Sequence, residues 1–267
     1  MSVLLENPIL ELSKNKYDSI PFSQIKLEHF TPAIDEAIKK GSLEVEKIST
    51  NTDTPNFSNT IQALDEATEL IDHVEGIYFN IMSAESDNKF KELAQSISPK
   101  LSRFQNEILL NSKLFDRVSQ VYNNKSEFNL DEEESRMIDE KYQMFILNGA
   151  LLDDTKKESL KKIDEELSKL SPQFSQNQLN SMNEFEYYTI DKTDLEGLPD
   201  SALEAANHLA KSKDKKDGWL FSLQMTSMIP ILKYAKNRSL RQKFSEAYGK
   251  IATDGEFDNS EIIKKIA

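Results

Sequence analysis

The segment PNFSNTIQALDEATELIDHVEGIYFNIMSAES, residues 55–86, decides the fold class. Most of its apolar side chains recur every three or four residues, which is the spacing of one face of an α-helix. The positions along this stripe are Phe57, Ile61, Leu64, Thr68, Ile71, Tyr78 and Ile81. The segment therefore predicts one amphipathic helix of about seven or eight turns.

Helical spacing also recurs in the segments on both sides of this helix. We expect further helices over residues 29–48, 87–108, 114–122, 129–148 and 153–179. Pro99 lies inside the second of these segments and is expected to kink or break it. Only 7 Gly and 8 Pro occur in 267 residues, which leaves little room for turns and favours long helices.

Two of these segments contain more detailed signals, one for the ends of its helix and one for the side chains that face the core. Asn129 and Glu132 stand three residues apart and predict a capping box, and Gly149 predicts the end of the same helix. In the last segment the side chains predicted to face the core are Leu160, Ile163, Leu167, Leu170 and Phe174. Up to about residue 184 the chain is predicted to be an array of long antiparallel helices.

The pattern changes after residue 184. EFEYYTI, residues 184–190, and GWLFSLQM, residues 218–225, are rich in aromatic and β-branched side chains and predict short strands. A helix entered through Pro199 or Asp200 is expected between them, and two more helices after them. The predicted fold class is therefore mainly α, with a long-helix domain at 1–184 and a small α+β continuation at 185–267.

Composition narrows the class of protein. An apolar fraction of 38% with 14 Phe favours a folded globular protein, and the net charge of −13 disfavours binding to nucleic acid or anionic membrane. The absence of Cys excludes disulfides and thiolate sites within the chain. The first ten residues lack the features of a signal peptide. These features predict a cytoplasmic protein without a membrane or nucleic-acid partner.

Known catalytic patterns do not occur in the sequence. His29, His73 and His208 each lack a second His four residues away, and neither a P-loop nor a G-x-S-x-G motif is found. We interpret the three histidines as ordinary surface or boundary residues. The residues alone thus predict no catalytic and no metal-binding position, and the substrate-binding residues remain unknown.

Three other features have structural interpretations. The acidic run at 131–135 suits a solvated helix start, where carboxylates complement the helix dipole. The basic cluster at 211–217 is interrupted by acids and lacks aromatic neighbours in the sequence, so we interpret it as a solvated loop. Trp219 heads a predicted strand and is interpreted as a packing residue.

The last residues, DGEFDNSEIIKKIA at 254–267, contain a helix start. Asp258 or Asn259 can cap it, and Ile262, Ile263 and Ile266 begin an apolar face. No Gly, Asn or Pro follows to close this helix. We therefore expect the 267 residues to be a piece of a longer chain.

Several stretches resemble the opening region of the M3 zinc metallopeptidases, the family of oligopeptidase A, peptidyl-dipeptidases and thimet oligopeptidase. They are NPIL at 7–10, IPFSQIKLEHFTPAIDEAI at 20–38, PNFSNTIQALDEA at 55–67, SPKLSRFQNEILLNSKLFDRV at 98–118 and, most specifically, 195–267. The resemblance spans essentially the whole chain.

This resemblance implies a mostly helical wall of a deep channel that admits short peptides. In the family an H-E-x-x-H motif in the later half of the chain binds zinc, and that motif is absent from residues 1–267. The resemblance therefore implies no cofactor in this chain, zinc in the missing catalytic half, and no activity for the chain alone. An alternative interpretation is a stand-alone helical scaffold or interaction protein derived from a peptidase.

The resemblance also implies partners. We expect the chain's own C-terminal catalytic domain to pack on it and short peptides to be the substrates of the whole enzyme. Apolar side chains within 219–232 are then expected to be exposed in the fragment and to promote contacts between copies.

Overall fold

The computed structural model describes residues 7–10, 15–84, 87–215 and 217–267, without the side chain of Asp18. The chain forms two compact units, Met1–Lys169 and Leu170–Ala267. Helices dominate both units, and the strands of the described residues lie in the second unit, as the fold-class prediction states. No helix in the described ranges is both long enough and apolar enough to cross a bilayer.

The first unit is built from helices. After short 3₁₀ turns its elements are α1 Phe30–Thr50, α2 Ala63–Ala84 with a π-helical entry at Phe57–Gln62, α3 Asn88–Leu109, α4 Ser112–Asn123, α5 Glu132–Leu147 and the start of α6 Asp154–Glu184. The helix predicted within residues 55–86 is confirmed over residues 57–84, and residues 85 and 86 lie outside the described residues. The compact units divide inside α6, between Lys169 and Leu170, whereas the sequence places a domain boundary at 184/185; the prediction of two functional domains, 1–184 and 185–267, stays a prediction.

The stripe of α2 lies in the core of this unit. Its Leu64, Ile71 and Tyr78 are buried together with apolar side chains of α1, α3, α4 and α5. Tyr78 also joins two helices, because its hydroxyl donates to the carbonyl of Phe90 on α3 at 2.5 Å. Burial raises the pKa of Tyr78 to about 12. The hydroxyl therefore stays protonated and keeps its role as a donor.

A glycine permits a close approach between helices of this core. A Cβ atom added to Gly41 of α1 would lie 2.6 Å from the Phe104 ring of α3 and 3.1 Å from the Ala67 carbonyl oxygen of α2. A side chain at this position would force the Phe104 ring to move and the Ala67 carbonyl to give way by a few tenths of an ångström. Gly41 thus sets the spacing at which the neighbouring stripes interlock.

The start and the end of α5 show one incorrect and one correct prediction. The capping box uses Asp131 and Glu134, not Asn129 and Glu132: the Asp131 carboxylate accepts from Glu134 N–H at 2.8 Å, and the Glu134 carboxylate accepts from Asp131 N–H at 3.0 Å. Both pairs have the required spacing, but the helix begins at Glu132. Gly149, with φ of +91°, ends the helix as predicted.

Two other predictions, for α3 and α6, are wrong in part. Pro99 does not break α3, which continues from Asn88 to Leu109, because buried side chains on both sides of Pro99 pack into the same core. Ile163 of α6 does not face the core and is 54% exposed, although Leu170 is buried. Helical spacing alone predicted a wider apolar face on α6 than the neighbouring elements cover.

Arg117 holds the irregular chain between α1 and α2 from its position on α4. Its buried guanidinium donates to the carbonyls of Asn51 and Asp53 at 2.7 and 3.0 Å. It also donates to the side chains of Asn59 and Thr60, at 3.1 and 3.2 Å. One side chain thereby satisfies four acceptors that no regular backbone ladder reaches.

The second unit combines a small sheet with helices. Its elements are the end of α6, β1 Tyr187–Thr189, α7 Asp200–Ser212, β2 Trp219–Phe221, α8 Met225–Tyr234, α9 Arg238–Gly249 and α10 Ser260–Ile266. The strands are antiparallel, with Tyr188 opposite Leu220. Both strands and the helix between them were predicted, and Pro199 directly precedes α7 as expected.

The Asn259 side chain links the start of α10 to α6 within the second unit. Its buried amide donates to the Phe174 carbonyl of α6 at 3.0 Å and accepts from the Asn177 side chain at 2.9 Å. Of the two predicted caps, Asn259 occupies the N-cap position but its side chain makes no cap bond, while the Asp258 carboxylate accepts from Ser260 N–H. The predicted apolar face is partly wrong: Ile262 is buried, whereas Ile263 and Ile266 are exposed.

We predict that Arg117→Met lowers the free energy of unfolding by about 3 kcal/mol, because it removes the donor to the carbonyls of Asn51 and Asp53 and to the buried Thr60 hydroxyl. Urea unfolding followed by circular dichroism measures the loss. Arg136→Met is the matched control, since Arg136 is exposed and pairs only with Glu140, and it should cost less than about 1 kcal/mol. Equal losses in the two variants would contradict the assigned role of Arg117.

Candidate functional site

The three histidines lie apart from one another in sequence position and environment. His29 accepts a hydrogen bond from Lys26 N–H through Nδ1 at 3.1 Å, while His73 and His208 are exposed on α2 and α7. Within the described ranges no group of three or more His, Cys, Asp or Glu side chains is placed to hold a metal ion. The prediction that catalytic and metal-binding residues lie outside this chain stays a prediction.

The charged runs have the structural roles assigned to them, with two corrections, the first being that Lys211 and Ser212 of the predicted loop are the last residues of α7. Residues 131–135 form the start of α5. In the basic cluster, Lys213 and Lys215 pair with Glu186 at 3.2 and 3.0 Å, and Lys215 lies 4.9 Å from the centre of the Tyr188 ring. The cluster does have an aromatic neighbour, which strand pairing brings close. Lys216 lies outside the described residues.

Trp219 is a packing residue, as predicted. It is half-buried against the core of the second unit and lies opposite Thr189 in the two-stranded sheet. Leu220, Phe221 and Leu223, which follow it, are buried in the same unit.

The predicted exposure of residues 219–232 is therefore confined to α8. Met225, Ile229 and Leu232 are 52%, 45% and 36% exposed, and their spacing places them on one face of the helix. A neighbouring face of the helix packs inward through Met228 and Ile231. We refer to Met225, Ile229 and Leu232 as the α8 stripe. Such a stripe is a candidate surface for another part of a protein.

A cavity of about 280 Å³ lies between α2, α3 and α5. Its apolar lining includes Leu64, Ile71, Leu101, Phe104, Ile108 and Met144. Polar groups also line it: Asp72 and Glu75 of α2, and Lys141 of α5. An apolar cavity with few polar groups is the usual form of a small-ligand site. We call it the α2–α3–α5 cavity.

The charges in this cavity differ in their pairing. Lys141 forms an ion pair with Asp65 at 2.7 Å. Glu75 and Asp72 have no hydrogen bond or ion pair to any other described residue. Burial raises the pKa of the Glu75 carboxyl above its ordinary value, and the negative charge of Asp72 raises it further. The cavity therefore carries two carboxylates, of the exposed Asp72 and the half-buried Glu75, that form no ion pair with a cation of the described chain.

A second depression of about 330 Å³ is lined by side chains of α3 and α6, including Arg103, Glu158, Lys161 and Glu165. Its charges compensate one another. Arg103 donates twice to Glu165, at 2.8 and 3.2 Å, and Lys161 pairs with Glu158 at 2.6 Å. The Arg103 guanidinium and Lys169 hold the pKa of Glu165 at about 2. Four of its six charged side chains are thus paired, and the other two, Glu107 and Lys162, have opposite signs, so this depression offers a ligand less than the α2–α3–α5 cavity does.

Comparison with known proteins identifies relatives of this chain. No family model matches the chain. The dipeptidyl carboxypeptidase of Escherichia coli strain K12 is 30% identical over 261 residues, which are 97% of this chain and 38% of that protein. The probable cytosolic oligopeptidase A of Arabidopsis thaliana is 27% identical over 269 residues, again covering 98% of this chain and 38% of the relative.

The chain is homologous to the oligopeptidases A and dipeptidyl carboxypeptidases. The oligopeptidase A of Haemophilus influenzae agrees, with 28% identity over 98% of this chain and 38% of its own length. The resemblance derived from the sequence is thereby confirmed. This oligopeptidase homologue spans little more than a third of the length of the relatives cited here.

The sequence contains one signal for the α2–α3–α5 cavity, namely polar residues within the apolar stripe of α2. Leu64, Thr68, Ile71 and Glu75 follow one another at helical spacing, so that Thr68 and Glu75 are polar residues within an apolar stripe. A carboxylate at such a position contradicts the pattern of a closed core. Contradictions of this kind often mark functional positions.

We predict that Glu75→Gln stabilises the folded chain at neutral pH. The raised pKa means that the folded state binds the Glu75 proton more tightly than the unfolded state does. In the wild-type chain this proton contributes stability below pH 4.5, and the contribution is lost as pH rises through the raised pKa, whereas the neutral glutamine loses nothing. The gain at pH 7 should be under about 1 kcal/mol, because the carboxyl is partly solvated.

Thermal unfolding at pH 4 and pH 7 measures this gain, which should be larger at pH 7. Glu69→Gln is the matched control: it removes the same charge from an exposed position of α2 and should change little at either pH. A Glu75→Gln effect of the same size at both pH values would contradict the assignment.

Proposed function

We propose that the chain is the N-terminal, non-catalytic region of a zinc-dependent oligopeptidase or peptidyl-dipeptidase. The observation that carries this proposal is the match itself, which covers 97% of the chain but 38% of the relative. The H-E-x-x-H motif expected of the M3 family is absent from the 267 residues. The remainder of such an enzyme would then supply the zinc site.

The role proposed for this region is to form one wall of a channel that admits short peptides. Long helices packed into a rigid core suit a wall, because they present a fixed surface to a substrate. Selection would be steric, with short unfolded peptides entering and folded proteins being excluded. Within the described residues no donor set fits zinc, and the chain by itself is proposed to be inactive.

The exposed α8 stripe supports a contact between this region and another part of the whole protein. We propose that the C-terminal part of the same polypeptide covers Met225, Ile229 and Leu232. About 62% of the length of a relative such as the E. coli enzyme lies outside the matched region, since 38% is matched, so a covering segment is available. Burying these three side chains would remove apolar surface from water.

A cytoplasmic location is also proposed. It is supported by the absence of Cys and by the name of the probable cytosolic oligopeptidase A of Arabidopsis thaliana. A second Arabidopsis relative is named as an organellar oligopeptidase A.

The first test combines the source gene with an activity assay. We expect the reading frame to continue beyond the codon for Ala267 and to encode H-E-x-x-H. The 267-residue chain should not cleave an internally quenched nonapeptide in the presence of zinc, whereas the longer product should cleave it. A stop codon after Ala267 would reject the peptidase proposal and favour the stand-alone scaffold.

Peptidase activity that co-purifies with the 267-residue chain would contradict the proposed inactivity. A metal-chelated control with the same preparation separates zinc-dependent cleavage from a contaminating serine protease.

The second test concerns the α8 stripe. We predict that the purified chain self-associates, because the uncovered stripe of one copy contacts that of another. Ile229→Lys should weaken this association about tenfold in sedimentation velocity experiments. Leu43→Lys, which alters an exposed leucine of α1, is the control and should change little. A strictly monomeric wild-type chain would contradict the prediction.

A further inference from the structure

The α2–α3–α5 cavity has two chemically distinct parts. One part is apolar, with Phe104 and Ile108 of α3 and Met144 of α5 in its lining. The other part carries the carboxylates of Asp72 and Glu75, which stand one helical turn apart on α2. A ligand that fits both parts needs an apolar body and a polar head.

The charged side chains that line the cavity determine whether the polar head of the ligand should be positive or negative. Lys141 is already paired with Asp65 at 2.7 Å, so it offers little to an anion. Glu75 and Asp72 pair with no other described residue. Both carboxylates therefore favour a positive group, which would also reduce the repulsion between them.

The side chains that line the cavity suit an organic cation better than a metal ion. Hard divalent cations take six or more oxygen ligands, whereas this cavity offers two carboxylates, a threonine and a glutamine beside an apolar surface. An ammonium or guanidinium group needs only one or two acceptors and carries its own apolar body. Burial and Asp72 both raise the pKa of Glu75, which is the response of a carboxylate that lacks a counter-charge.

We propose that the α2–α3–α5 cavity binds an organic monocation whose ammonium group pairs with Glu75 and Asp72 and whose apolar body packs against Phe104, Ile108 and Met144. A volume of about 280 Å³ suits a body of roughly five to seven carbons, near the lower limit of small-ligand sites. This inference does not depend on the proposed peptidase role.

The test uses the chain with ¹³C-methyl-labelled methionine and three probes that share a six-carbon body. Hexylammonium should shift the Met144 methyl signal saturably, with millimolar affinity, as expected for a ligand of seven heavy atoms. Hexanol should bind at least about tenfold more weakly, and hexanoate should not bind. Met137 packs against the same core but does not line the cavity, so its signal is the internal reference.

Two variants test the assigned head group. Glu75→Gln should weaken hexylammonium binding about tenfold and leave hexanol unchanged, because it removes one charge-assisted hydrogen bond. Glu69→Gln removes the same charge from a position of α2 outside the cavity and should leave binding unchanged. Comparison of the three probes on the wild-type chain tests the preference for a positive head group without any variant.

A fourth and fifth probe distinguish a free amine from a peptide as the source of the cation. These are a leucyl dipeptide amide with a free amino terminus and its N-acetylated form. Tighter binding of the free dipeptide than of hexylammonium, with no binding of the acetylated form, assigns the site to peptide amino termini. The reverse order assigns it to free amines.

Three results would overturn the proposal. They are the absence of a Met144 shift with every cationic probe, equal binding of hexylammonium and hexanol, and equal loss of binding in Glu75→Gln and Glu69→Gln. The last two would show that apolar contact or total charge, and not Glu75, accounts for the binding.

Discussion

The first unit depends on burial of the apolar stripe of α2. Leu64, Ile71 and Tyr78 leave water only because α1, α3 and α5 pack around them, and each such side chain contributes about 1.5–3 kcal/mol when fully buried. Gly41 allows α1 to approach closely enough for this packing. The surrounding helices therefore share one core, and the irregular segments must follow it. Arg117 secures one of these segments by supplying the donors that its carbonyls lack.

The same stripe generates the candidate site. Thr68 and Glu75 occupy positions where the helical pattern calls for apolar side chains, and at these positions α3 and α5 leave a cavity. Stability and binding therefore compete on one face of α2, since an uncompensated carboxylate beside Asp72 is costly to keep ionised. The relatives are peptidases of greater length, and the proposed channel wall would contain this cavity as a separate feature.

Sequence reasoning succeeded where one signal dominated and failed where two signals competed. The helix at residues 55–86, the two strands and the stop at Gly149 each follow from a periodicity or a backbone requirement that no neighbour opposes. The cap of α5 was misplaced by two residues because Asn129 and Asp131 both precede a Glu at the same spacing. Pro99 was expected to interrupt α3, but a shared core on both sides outweighs one missing hydrogen bond.

The sequence by itself determined the class of fold, the order of its elements and the relationship to the oligopeptidases, because these depend on local periodicity and on residue identity along the chain. Only the tertiary structure decided which faces are covered. Ile163 and Ile263 were both predicted to belong to apolar helix faces, yet both remain exposed. Glu75 is a carboxylate in an apolar cavity only because α3 and α5 pack beside it. Burial and charge compensation depend on neighbours distant in sequence, and the helical spacing of a single segment contains no information about them.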